Sequence, residues 1–168
     1  MTDSLAAVVD LARYPLHDRD GPAWAALVEN CRGQLSRVAC VVRTECAGGK
    51  AQLTRLPNGL EITEWHPVRE AASGKWRFPS MLGTQFVRDA AFVYNFVLAP
   101  GAASVRVDGV ECATLGHGLE GPVIGHPYWG TEAVINDLRR QPGWAAGRVV
   151  MPARRASEAK GHLGAFEL

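Results

Sequence analysis

The residues whose types and spacing promise chemistry are Thr63 and His66, in the stretch ITEWHPVR at 62–69. A histidine that ends an extended run and is followed at once by proline has its backbone bent away from the strand ladder. Its imidazole can then point into a cleft between strands, and a threonine three residues earlier offers a hydroxyl to the same space. Such a pair can polarise a carbonyl or protonate a leaving amine, since an ordinary histidine pKa of about 6.5 reaches both protonation states. The competing reading is a loop histidine bonded to backbone. Spacing alone favours that reading, because TxxH is a short pattern with many chance matches.

A second cluster is Cys112, His117 and His126, in ECATLGHGLEGPVIGHPYWG. One reading is a metal site, but C-x4-H-x8-H matches no common zinc signature and a fourth ligand would have to come from elsewhere. Another is a Cys–His pair in which His117 lowers the thiol pKa of Cys112. The third is a buried cysteine on a hairpin strand with two loop histidines. The glycines of this stretch read as backbone punctuation, because no strand–Gly loop–helix with Lys-Ser/Thr accompanies them. GxSxG, HExxH and the P-loop are all missing from the sequence. No cofactor is therefore expected.

The elements that must hold these residues are short and turn-rich. Residues 2–13 read as a short helix. Residues 22–32 (PAWAALVENCR) read as another, with Pro22 at its start, an apolar stripe of Trp24, Leu27 and Val28, and Gly33 past its end. From Arg37 the period changes to two: Val38, Cys40, Val42, Thr44 and Cys46 alternate with Arg37, Arg43 and Glu45. A second strand is expected near 51–56, and Pro57-Asn58-Gly59 turns the chain into a third that carries ITEWHPVR. AAFVYNFVLA, 90–99, reads as a central strand buried on both faces. SVRV and VECA flank Asp108-Gly109, the signature of a two-residue hairpin. One helix follows near 131–141, capped by Thr131 and stopped by Pro142-Gly143, with Val134, Ile135 and Leu138 facing inward. GRVVM, 147–151, is the last strand. The fold class is mainly β.

Composition sets wide bounds. The chain has 168 residues, 47% hydrophobic and 21% charged, with net charge +1. It can bury a sizeable core without staples, and its bulk charge points to neither nucleic acid nor an acidic membrane. No apolar run approaches the ~20 residues of a membrane helix. The N-terminus lacks a basic n-region, so no signal peptide is expected and a cytoplasmic location is the default. The four cysteines, Cys31, Cys40, Cys46 and Cys112, form no CxxC pair.

Taken in order, T-x-x-H-P-V, then G-x-W-x-F-P, then V-Y-N-F-V-L, then the Asp-Gly hairpin resemble the second half of a Hint domain. That module is shared by hedgehog C-terminal domains and inteins. The further run C-x-T-L-G-H-G…H-P-Y-W-G-T-E…DL…GW…G-x-V resembles its von Willebrand A-associated branch, Vint. The resemblance spans about residues 37–151, leaving 1–36 as a divergent helical segment and 152–168 as a polar tail. It implies a compact Hint-like all-β fold. It also implies autoprocessing, in which a cysteine or serine heading the domain attacks the carbonyl before it and exchanges an amide for an ester, with proximity supplying much of the rate. By resemblance, Thr63 and His66 polarise that amide and protonate its nitrogen, and the partner is the upstream polypeptide in cis.

Two departures matter. The family nucleophile lies much further ahead of the TxxH histidine than Cys31, which stands only 35 residues before His66. Cys40 and Cys46 fall within a strand whose alternation explains them. The first quarter of the domain is thus expected to be lost, replaced or left out by a late start codon, with activity incomplete. The alternative is a non-catalytic interaction module derived from the same fold. At the far end, Ala113 and Thr114 stand where inteins place His-Asn, so protein splicing is not expected.

Overall fold

A computed structural model describes residues 27–30 and 32–153, and the fold is stated for those. The helix expected over 2–13, the nucleophile candidate Cys31 and the tail beyond residue 153 lie outside the described residues. Strands dominate, and the fold is mainly β.

The central sheet is built on β2 (Leu35–Glu45). Along one edge β2 pairs antiparallel with β8 (Phe92–Leu98). Along the other it meets β1 (Leu27–Glu29), antiparallel, and β11 (Arg148–Met151), parallel. A second sheet has the order β6 (Trp76–Arg77), β5 (Val68–Arg69), β10 (Val110–Ala113), β9 (Ser104–Val107). A third joins β4 (Glu61–Thr63), β3 (Lys50–Arg55) and β7 (Thr84–Asp89).

The apolar character of β8 on both faces follows from what covers it. Phe96 and Leu98 pack with Val38 and Val41 against Val68, Val105, Val107 and Cys112 of the second sheet. Val97, on the opposite face, packs with Cys40, Val42 and Val149 against Val134, Ile135 and Leu138 of the helix α1 (Glu132–Arg139). The central sheet is therefore sandwiched, and an apolar residue at either parity finds a buried site. The helix forms where expected: the Thr131 hydroxyl accepts from Ala133 N at 3.3 Å, and Glu132 and Arg139 sit at the ends that suit their charge. The Asp108-Gly109 hairpin also forms as expected, with φ of 47° and 81° at its two turn positions.

Two expectations fail. Residues 27–29 form β1, not part of a helix over 22–32. The decisive residue is Asn30, whose side-chain oxygen accepts from Arg32 N at 2.9 Å and Gln34 N at 3.0 Å. This local bonding folds the chain back so that Leu27–Glu29 pairs with Leu35–Arg37. Gly33, at φ 71°, serves that reversal and not a helix C-terminus. The strict alternation from Val38 to Cys46 also breaks. Register jumps from Val38 opposite Leu98 to Cys40 opposite Val97, a bulge at Ala39 that sends Val38 and Cys40 to different cores.

Candidate functional site

The T-x-x-H stretch forms the corner at which the chain leaves the third sheet for the second. Thr63 ends β4, opposite Leu53 of β3, and is buried. His66 N donates to Thr63 O at 3.2 Å, closing a turn. Pro67 then starts the step into β5, and its carbonyl accepts from Ala113 N at 3.0 Å. The proline removes a donor that a ladder continued from β4 would use, which is why the chain bends here.

The His66 side chain is 0% exposed. Its Nε2 lies 2.8 Å from Ala113 O, 47 residues along the chain. A carbonyl can only accept, so Nε2 carries the proton and Nδ1 presents a lone pair. That Nδ1 is buried and has no hydrogen-bond partner among the described residues. Burial pushes the His66 pKa down to about 4; the bond to Ala113 opposes this, and the charge of His117 reinforces it. The ring is therefore neutral at pH 7. The pair of bonds between 66–67 and Ala113 fixes the ring against β10 and fixes its tautomer as well.

This geometry, with the ordered strands around it, meets its counterpart in known sequences. The sequence model of the Vint family, described as a Hint-domain, matches residues 24–162. The chain belongs to this family. No curated protein matches it. The Hint-domain match begins ahead of β1, so it takes in residues that the reading from Arg37 onward had set aside.

Within this Hint domain Cys112 lies apart in the core, while His117 and His126 lie close enough for the charge of one to lower the pKa of the other. Cys112 is buried in the core between the sheets, and its thiol donates to Val110 O at 3.7 Å. Burial raises its pKa well above the usual thiol range, and the charges of Glu111 and Asp108 add to that. His117 plays no part in it. The His117 Nδ1 accepts from Leu119 N at 2.9 Å, its ring bonds the Ile124 backbone, and it packs on Gly130, where a Cβ would come within 3.0 Å of Cε1. The Nδ1 of His126 accepts from Tyr128 N at 3.1 Å and Trp129 N at 3.0 Å. Both histidines thus order the loop ahead of α1. Gly116 of the same loop leaves room for Ile135, whose Cγ1 would lie 2.5 Å from a Cβ there. Among the described residues no three His, Cys, Asp or Glu converge as metal ligands.

One buried polar residue is not singled out by the sequence pattern. Asn95 stands inside FVYNFVL, is 3% exposed, and lies on the face of β8 shared by Val93 and Val97. Val93 packs on Leu53, the cross-strand neighbour of Thr63. Val97 bridges to Leu115, two residues past the Ala113 that holds His66. The available signal was a primary amide in the middle of an otherwise apolar strand, where an unpaired polar group costs about 1–3 kcal/mol.

Proposed function

We propose that this Hint domain is an autoprocessing domain that cleaves the polypeptide ahead of it by an intramolecular acyl shift, without splicing. The observation that carries this reading is the buried Nδ1 of His66, unpartnered among the described residues and held as a proton acceptor by the Nε2–H bond to Ala113 O. A cysteine thiol or serine hydroxyl adds to the carbonyl carbon of the preceding peptide, and its proton passes to Nδ1. The tetrahedral intermediate then collapses, the C–N bond breaks, and the departing nitrogen takes the same proton. A ring whose pKa is depressed to about 4 is a strong acid once protonated, which suits delivery to an amide nitrogen. The product is a thioester or ester that a second nucleophile opens, releasing the upstream segment.

The attacking group comes from outside the described residues. Cys40 is fully buried, its pKa pushed up to about 12 by burial, and Cys112 is raised for the same reason. Burial also raises the pKa of the half-buried Cys46. Splicing is disfavoured by the residues beside His66: Ala113 has no amide to cyclise, and the Thr114 hydroxyl donates to Ala103 O at 3.1 Å. The same unreactive thiols favour a second reading, a non-catalytic interaction module, which predicts no cleavage under any condition.

The test expresses the chain with whatever coding sequence precedes it in frame and follows intact mass with and without hydroxylamine. Hydroxylamine-dependent release of the upstream segment is expected. His66→Ala should slow it by roughly 100-fold or more. Cleavage that continues unchanged in His66→Ala would remove His66 from the reaction.

A further inference from the structure

The third sheet ends on β7, which pairs with β3 and, among the described residues, with no strand on its other side. Such an edge is normally blunted by shortness, a proline, a bulge or unpaired charge. β7 runs unbroken from Thr84, opposite Arg55, to Asp89, opposite Lys50, and has no proline. Its charges are neutralised within the chain: Asp89 pairs with Lys50 at 2.8 Å, and Arg88 pairs with Glu61. Every residue of β7 except Phe86 is exposed, Val87 by 61%. Two bonds fix which backbone groups face outward. Ala90 N donates to Gly49 O at 2.9 Å, in register with the ladder, so Arg88, Phe86 and Thr84 bond towards β3. Across β3, Leu56 N donates to Leu60 O at 2.8 Å, which turns Thr54 to β4 and leaves Ala51, Leu53 and Arg55 to β7. Both bonds give the same answer: the N–H and C=O groups of Gln85, Val87 and Asp89 point away from the sheet.

We propose that β7 is a dimer interface: it pairs antiparallel with β7 of a second copy of this chain, about a two-fold axis through Val87. Among two-fold registers, this one alone uses every outward group of the strand, with Val87 bonded to Val87 and Gln85 to Asp89. The side chains agree with it. On one face the exposed Val87 side chains cover each other, and the Gln85 amide meets an Asp89 carboxylate of which Lys50 uses only Oδ1. On the other face Phe86 stands opposite Arg88. Moving the axis to Arg88 or Asp89 sets like charges directly against each other. A net charge of +1 leaves little repulsion between copies. The contact is isologous and closes at two copies. It lies on the edge of the third sheet away from β4, so it stands independently of the reaction proposed for His66.

The experiment is sedimentation velocity of the full chain from about 5 to about 500 µM. One strand pair is a small contact beside the roughly 1,200–2,000 Å² of a stable interface, so a reversible dimer with Kd on the order of 10–100 µM is expected. Val87→Arg sets like charges on the axis and should weaken the dimer by about 10-fold or more. Its thermal midpoint should hold, since the Val87 side chain is exposed and its backbone groups point away from β3. Gln85→Lys, opposite Asp89 of the second copy, should tighten the dimer about 3-fold, and Gln85→Glu should loosen it by about as much. Opposite signs from one position distinguish this register from a general effect on folding. Amide exchange gives a second reading on the wild type. The N–H groups of Gln85, Val87 and Asp89 should gain protection with concentration, while those of Phe86 and Arg88 are protected throughout. A chain that stays monomeric at the highest concentration overturns the proposal, as does a dimer indifferent to Val87→Arg. Protection of the Val87 N–H at the lowest concentration overturns it too, because the edge is then covered within a single chain.

Discussion

Acid should destabilise this protein through the buried His66 ring. His66 has a folded pKa of about 4 against an ordinary value of 6.5. Because the folded value is the lower, the unfolded chain binds the extra proton between those limits. Stability from the neutral buried ring is complete above pH 6.5 and is lost as pH falls towards 4. A shift of this size corresponds to about 3 kcal/mol, of which roughly 2–3 kcal/mol is spent between pH 7 and 4.5. His66→Gln isolates it: the glutamine NH2 can still donate to Ala113 O, but it does not titrate. Urea midpoints measured at half-unit steps of pH should give a wild-type curve that falls below the variant's by that amount, after alignment at pH 7. His117, whose pKa is also lowered by burial and by His126, is coupled by charge to His66, so the difference between the curves contains that coupling as well. Parallel curves would refute the reasoning, as would an imidazole 15N titration placing His66 near 6.5.

Other outcomes follow from packing. In Gly83→Ala the new Cβ would lie 2.2 Å from Arg55 O, a backbone atom that cannot swing aside, so a loss of about 2 kcal/mol or more is expected in chemical denaturation. Thr131→Ala removes the helix cap and should cost about 1 kcal/mol, with Thr131→Ser recovering most of it. Of the three described thiols, half-buried Cys46 should react first with iodoacetamide in native protein, while Cys40 and Cys112 wait for unfolding. Peptide mapping reads that order, and early labelling of Cys112 would mean that the core between the sheets opens.

Much of the site's frame could be read from local chemistry. The helix cap, the left-handed turn at Asp108-Gly109 and the strand that ends at Thr63 each depend on neighbours within a few residues, so the sequence displays their causes directly. Elsewhere the apolar period alone misleads. PAWAALVENCR has a helical stripe, yet Leu27–Glu29 joins a sheet because Asn30 reverses the chain and β2 offers an edge. Val38 and Cys40 share parity, yet an inserted residue at Ala39 gives them separate cores.

The sequence by itself determined that this is a turn-rich β domain and that Thr63 and His66 belong to a patterned stretch worth suspecting. Only the tertiary structure decided what His66 is. The ring's tautomer depends on Ala113 O, 47 residues away. Its depressed pKa depends on burial between sheets that no local pattern specifies. The same holds for Asn95, whose amide is unremarkable in a string of letters and becomes informative once its NH2 is enclosed without a partner among the described residues. It holds too for Cys112, His117 and His126: the fold buries the Cys112 thiol in the core and bonds both histidine Nδ1 atoms to backbone N–H groups. Proton affinity and hydrogen-bond satisfaction are properties of an enclosure, and an enclosure exists only after distant segments have packed.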